Sequence, residues 1–164
     1  MANPGFLELE GNQQGVIESS IVRSGKEDMI QFFTFDHQLH LQADQRGGYT
    51  AAERRHEPIV ISKEIDKATP SLYKALCTGE KIKSAKFRWF ATLGSRNEEQ
   101  QIYSITITDA KIIGIETIMP DTRETAEGHI NLSERVMFAY ENIIWSYGED
   151  EAASYEDESH PDKK

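Results

Sequence analysis

Cysteine is nearly absent from this chain, with Cys77 the only one in 164 residues. An internal disulfide is therefore excluded, and synthesis in a reducing compartment fits. No apolar run approaches the roughly 18 residues that a membrane-spanning helix needs. The longest, such as Ile112-Ile113-Gly114-Ile115, have the length of a strand, so no membrane insertion is expected. The first residues, Met1 to Phe6, carry no basic region and no following apolar stretch, so no secretory signal peptide is expected. Basic residues are outnumbered, 18 Lys and Arg against 28 Asp and Glu, for a net charge of −10. That balance argues against nucleic acid as a partner, because phosphate backbones reward the Lys and Arg clusters missing here.

The motifs of common catalytic sites are missing too. There is no G-x-S-x-G elbow, no phosphate-cradling Gly-rich loop ending in Lys-Ser/Thr, and no His-Glu-x-x-His. His37 and His40 stand three apart, and on a strand that spacing turns them to opposite faces, which excludes a shared metal. His56, His129 and His160 are isolated in loop or tail sequence and are expected at the surface. Cys77 has no histidine at a spacing that would pair it, and is expected to be a small buried or half-buried apolar side chain. Glu8/Glu10 and Asp109/Glu116 read as solvated acids, and Asp66 as a turn or capping residue. No enzyme activity, cofactor or metal is expected.

What is present is pattern. One helix has both ends written out, over about residues 70–78. Thr69 suits the N-cap, its hydroxyl able to accept from an orphan helix N–H. Pro70 suits the first helical position, where its missing donor costs nothing. Gly79 can take the left-handed conformation that closes the helix. Leu72, Ala75 and Leu76 form one apolar stripe between them, which must pack on a sheet or another subunit.

The remainder reads as strands: residues 6–10, 16–22, 29–35 and 59–61, then 86–93 and 102–108 as a long hairpin about Gly94, and 111–119. The last long strand, 132–147, changes phase. Leu132, Val136, Phe138 and Tyr140 are even, whereas Ile143, Trp145 and Tyr147 are odd, so a bulge or corner falls near Glu141-Asn142. The fold class is mainly β: a small β-barrel or two-sheet sandwich of about eight strands, with one short α-helix and an extended loop over about 42–58. A loop of that length inside a compact domain is often functional. It reads as an interaction arm in which Arg46, Arg54 and Arg55 reach acidic surfaces of a neighbouring copy. From Glu149 to Lys164, seven acids face two lysines, a net −5 with Tyr155 the only aromatic. This segment, 149–164, is expected to be a disordered acidic tail after a domain spanning 1–148.

Three blocks in order carry a family resemblance. Lys63-Glu-Ile-Asp-Lys-Ala-Thr-Pro-Ser-Leu-Tyr-Lys-Ala75 closes at Thr78-Gly79; Ala85-Lys-Phe-Arg-Trp89 leads through the hairpin to Tyr103-Ser-Ile-Thr-Ile107. The third block is Leu132-Ser-Glu-Arg-Val136 with Phe138, Tyr140-Glu141, Ile143, Trp145 and Tyr147. Over about residues 5–148 the chain resembles the Hcp (haemolysin-coregulated protein) family. The resemblance implies a small β-barrel with one helix that forms homohexameric rings, stacked as the inner tube of the bacterial type VI secretion system. It implies synthesis in the bacterial cytoplasm, export through the type VI apparatus, and sheath components, spike components and small secreted effectors as partners. The family's extended loop is tied to contacts between subunits and rings, so Asp44, Arg46, Arg54 and Arg55 are expected contact residues, and the exposed side of the helix adds Tyr73 and Lys74. An effector-chaperone ring and a monomeric ligand-binding β-sandwich stand as alternatives. Acidic copies repel over a Debye length of about 8–10 Å, which leads to the expectation that the acidic tail weakens ring stacking.

Overall fold

The computed structural model describes residues 4–20, 23–41, 54–92, 99–123 and 131–159. Its strands in chain order are β1 (Gly5–Gly11), β2 (Gly15–Val16), β3 (Ile30–Phe32), β4 (Thr34–Asp36), β5 (Leu39–Leu41), β6 (Arg54–His56) and β7 (Ile59–Glu64). After the helix α1 (Thr69–Thr78) come β8 (Lys81–Thr92), β9 (Glu99–Ile118), β10 (Ser133–Ala139), β11 (Asn142–Tyr147) and β12 (Ala153–Glu158). Twelve strands are thus present among the described residues where about eight were expected.

The sheet runs β1–β8–β9–β10–β7–β4, and every pairing is antiparallel. It closes through residues 30–36. The first part of that run pairs with β1 (Gly5 opposite Phe32), and the second pairs with β7 (Thr34 opposite Ser62). Between the two, Phe33 N–H donates to Ser62 O at 2.8 Å, so one run of chain seals the barrel and few backbone groups are left at an open edge. The closure requires a close approach at Gly5, where a Cβ would fall 2.1 Å from the Phe32 ring.

Alternation fills the barrel. Leu7, Leu9, Ile59, Ile61, Phe87, Ile107, Val136 and Phe138 are all buried on the inner face. Each such side chain contributes about 1.5–3 kcal/mol by leaving water. Phe87 packs edge-on against Phe32, Phe35 and Phe138 with centroids 5.2–5.9 Å apart, the arrangement that ring quadrupoles favour.

Residues 102–108 and 111–118 belong to one strand, β9, bent at Asp109, whose φ is 49°. The sequence pattern reads as separate strands here, and this single left-handed residue redirects the ladder without ending it. Residues 133–147 run antiparallel along one edge of β9, with β10 against Lys111–Ile118 and β11 against Tyr103–Thr108. The phase change near Glu141-Asn142 lies opposite the Asp109 bend. There the outer neighbour of the strand changes from β7 of the barrel to β12.

Other expectations need correction. The strand read over 16–22 ends at Val16. Residues 54–56, assigned to a patternless loop, form β6 and pair with β5 as a two-stranded hairpin. The tail is not wholly disordered, since Ala153–Glu158 forms β12 and pairs residue for residue with β11. Composition measured only how little apolar surface the tail can bury. The edge of β11 offers it backbone partners instead, and basic side chains meet its acids: Lys86 pairs with Glu151, and Arg54 with Asp157 at 2.7 Å.

The helix packs Leu72 and Ala75 inward, with Leu76 half-buried. Gly79 closes it at φ 66°, and Glu80 N–H donates to Ala75 O at 2.9 Å. Thr69 is not the N-cap; Ala68 holds that position, and no side chain bonds the helix from it. Cys77 lies on the outer face of the helix and is exposed, contrary to expectation, because only the stripe Leu72–Ala75–Leu76 turns toward the sheet.

Candidate functional site

Two surface elements stand outside the barrel wall, the helix and the β5–β6 hairpin, and each is moored by a buried polar junction. The helix junction starts on β7 and β10. Ile59, Ile61 and Lys63 share one phase of β7, and Glu134, Val136 and Phe138 share one phase of β10, so both strands send a charge inward. Lys63 and Glu134 are directly opposite in register and fully buried. Lys63 Nζ donates to Glu134 Oε1 at 2.7 Å, Asp66 Oδ1 at 2.9 Å and Glu64 O at 2.8 Å. Thr69 Oγ1 donates to Glu134 Oε1 at 2.8 Å and accepts from Asp66 N–H at 3.1 Å. Asp66 Oδ1 also accepts from Ala68 N–H at 2.9 Å, and Oδ2 accepts from Ser19 Oγ at 2.7 Å. Asp66 is thus the turn residue expected of it. A buried ammonium is tolerable only when partners surround it in this way.

The far end of the helix is held through Glu80. Its Oε1 accepts from the backbone N–H groups of Gln13 at 2.6 Å and Gln14 at 2.8 Å, and its Oε2 from the Gln14 side chain at 2.8 Å. Burial pushes this carboxyl up, but the Gln14 and Gln13 donors and the Lys74 charge outweigh it and hold it below the ordinary glutamate range.

The hairpin junction is of another kind. Asp157 of β12 accepts from His56 Nε2 at 3.0 Å, and His56 Nδ1 lies 2.9 Å from the Tyr140 hydroxyl. The same hydroxyl lies 2.7 Å from His37 Nε2. His56 is therefore not a surface histidine, since its side chain is 3 % exposed. The Tyr140 ring packs edge-on against it with centroids 5.6 Å apart, and Asp157 of β12 bonds its far nitrogen. Burial, followed by the charge of neighbouring His56, lowers His37 below the ordinary imidazole value. Burial and then the Asp157 charge raise the Tyr140 phenol far above its ordinary value, so its proton stays in place.

Of the expected contact residues, Asp44 and Arg46 lie outside the described residues. Arg54 is exposed on β6 yet already pairs with Asp157, and exposed Arg55 lies 3.0 Å from Glu57. Lys74 is exposed on the helix, and Tyr73 Oη shares a hydrogen bond of 2.7 Å with Thr117 Oγ1 of β9. The structure sets the arginines on one element and the helix pair on another. The sequence reading missed both junctions. For Lys63 and Glu134 a signal was available: each is a charge in the apolar phase of its strand. For His37, His56, Tyr140 and Asp157 no local pattern exists, because four separate segments contribute.

A closed antiparallel barrel with one packed helix, a projecting hairpin and an added terminal strand defines the class. Comparison with known proteins makes it specific. The model of the family described as "Type VI secretion system effector, Hcp" matches residues 6–147. The "Major exported protein" of Pseudomonas aeruginosa is 30% identical over 156 residues, covering 90% of each chain. Among solved structures, a crystal structure of an Hcp protein superposes with a TM-score of 0.85 at 28% identity, covering 96% of this chain and 98% of that one. A doubly substituted Hcp1 from Escherichia coli EAEC 042 gives 0.84 at 28% identity, covering 96% and 99%. The secreted protein Hcp3 of Pseudomonas aeruginosa gives 0.73 at 26% identity, covering 96% and 98%. The chain belongs to the Hcp family of type VI secretion. It is accordingly a secreted protein of that system, in a family that is structural and non-enzymatic.

Proposed function

We propose that this chain is a tube subunit: six copies close into a ring, rings stack into the inner tube of a type VI apparatus, and the rings themselves are exported. The observation that carries the reading is the family match over residues 6–147 together with a superposition at TM-score 0.85 over nearly the whole chain. The surface is compatible with it. Ring closure needs two different faces of each copy to meet. Exposed apolar side chains gather at the end of the barrel where Leu132 O accepts from Ile65 N–H, with Ile118 and Met119 beside them, and Tyr147 and Tyr155 are exposed on β11 and β12. Asp44, Arg46, Arg54, Arg55, Tyr73 and Lys74 are the proposed contact residues, with Arg55 and Lys74 presenting exposed charges. Sheath and spike components are the partners of the assembled tube, and small effectors are the cargo of its lumen. Export proceeds from the cytoplasm through the apparatus.

Native mass spectrometry of the purified protein with negative-stain imaging tests the reading. The expected result is a mass six times 18.6 kDa with annular particles. A monomer across a wide concentration range would overturn it. The acidic segment calls for a gentler test than truncation, since removing residues 149–164 would also strip β12 from β11. Neutralising Glu149 and Asp150 leaves the strand in place; stacking unchanged at low and high salt would remove this segment from any role in it.

A further inference from the structure

We propose that the chain His37–Tyr140–His56–Asp157 is a proton-operated latch, closed while both histidines are neutral, that holds the β5–β6 hairpin and β12 to the barrel. The proposal goes beyond the tube reading and stands without it. Its basis is a hydrogen-bond sequence with one consistent direction. The Asp157 carboxylate only accepts, so His56 presents Nε2–H to it. In the neutral ring Nδ1 is then bare and accepts from the Tyr140 hydroxyl at 2.9 Å. The Tyr140 oxygen keeps its lone pairs and accepts Nε2–H of His37 at 2.7 Å. Each group along the chain is satisfied, and each joins a different segment: His37 precedes β5, Tyr140 sits at the corner between β10 and β11, His56 is on β6 and Asp157 on β12.

Added protons break that order. A proton on His56 Nδ1 meets the Tyr140 O–H, donor against donor, and forces the hydroxyl to turn. The turned hydroxyl then needs an acceptor. His37 can serve only by moving its own proton to Nδ1, and once His37 is also protonated no acceptor is left. Two imidazolium charges then stand on one hydroxyl.

The other ionisable groups around the cluster do not relieve this. Arg54 on β6 adds a positive charge, its Nε 2.7 Å from Asp157 Oδ2, so that one carboxylate oxygen serves both Arg54 and His56. From β11, Trp145 lies against His37 with centroids 6.2 Å apart, and Tyr155 of β12 stacks on Trp145 at 6.1 Å. Arg55 and Glu57 pair with each other at the hairpin surface. Among the described residues Asp157 is the one carboxylate bonded to the chain, and it cannot neutralise two imidazolium rings and Arg54 together. The lowered basicity of His37 agrees with this geometry.

Amide hydrogen exchange on the full-length protein, corrected for the intrinsic rate at each pH, tests the latch. Protection at residues 54–56 and 153–158 is expected to fall about tenfold or more between roughly pH 7.5 and pH 5, the change produced by one pKa unit of differential protonation. Protection across β8 and β9 is expected to hold. A His37→Gln/His56→Gln variant, whose amides cannot take up the proton, is expected to lose the pH step. Equal protection of β12 at both pH values in the native protein would overturn the latch, and so would an undiminished step in the variant. If the variant does not fold, imidazole titration by NMR of the native protein decides. Midpoints that coincide with the loss of β12 protection support the latch, and midpoints well outside that interval overturn it.

Discussion

The helix junction and the hairpin junction do the same work with opposite chemistry. At the helix, a lysine and a glutamate with no exposed surface face each other across β7 and β10, with Asp66 and Thr69 completing the shell. At the hairpin, two imidazoles and a phenol form a relay between a carboxylate and the barrel corner. Paired buried charges make a mooring that is costly to break, because removing one partner strands the other. A neutral relay makes one that costs less to break and responds to protons. The pairing pattern follows the same division. α1 sits over strands of the closed barrel, whereas β6 and β12 have one strand partner each.

Four single substitutions, with one double variant as a control, break or sharpen the contrast, in falling order of expected effect. Glu134→Ala leaves Lys63 buried without its main counter-ion, and urea denaturation should show a loss of about 3–5 kcal/mol. The double variant Lys63→Met/Glu134→Leu should be markedly more stable than Glu134→Ala, because no charge is then stranded. Next, Asp157→Ala should cost about 1.5–3 kcal/mol, the range for a hydrogen bond to a charged group, and should loosen β12 more than the barrel in exchange measurements. Tyr140→Phe removes only the bridging hydroxyl and should cost about 1–2 kcal/mol in the same assay, since two ring nitrogens lose a partner. Smallest of all, Lys74→Ala on the exposed helix face should leave unfolding within about 0.5 kcal/mol of the parent. An effect of Lys74→Ala on ring formation by native mass would then mark a contact rather than a folding role.

The pH dependence separates the junctions further. His37 is held below its ordinary value of 6.5, so below that pH the unfolded chain binds more protons than the folded one. Its contribution is therefore intact above the ordinary imidazole value. It shrinks as pH falls through that value toward the lowered folded one, and reaches its limit beneath it. Glu80 behaves as a depressed carboxylate, giving stability above the ordinary glutamate range that is lost at more acidic pH. Thermal melts between pH 8 and pH 5 should therefore show a falling midpoint that His37→Gln blunts.

Much of the architecture was legible from alternation. The inward phase of 59–61 and 136–138, the Pro70 start and Gly79 stop of the helix, and the phase change before Asn142 all reappear in the structure. Less was legible at ends and edges. Residues 102–108 and 111–119 read as two strands, but a single left-handed residue, Asp109, bends β9 without ending it. β6 and β12 carry no apolar pattern, because both sit on edges where backbone pairing and ion pairs hold them in place of side-chain burial. The candidate contact residues divide the same way: the helix position of Tyr73 and Lys74 follows from the chain, whereas the strand position of Arg54 and Arg55 and the partners Asp157 for Arg54 and Thr117 for Tyr73 do not.

The sequence by itself determined a mainly β fold, one helix from Pro70 to its Gly79 stop, and the face each long strand turns inward. Those properties depend on periodicities of two and 3.6 residues and on local backbone preferences, which short windows of chain already contain. Tertiary structure alone decided that residues 30–36 seal the barrel, that Lys63 meets Glu134 and that an acidic terminal segment becomes a strand. It also brought His37, Tyr140, His56 and Asp157 onto one line of hydrogen bonds. Each of these joins groups far apart in sequence, whose mutual distance is fixed only when the sheet closes.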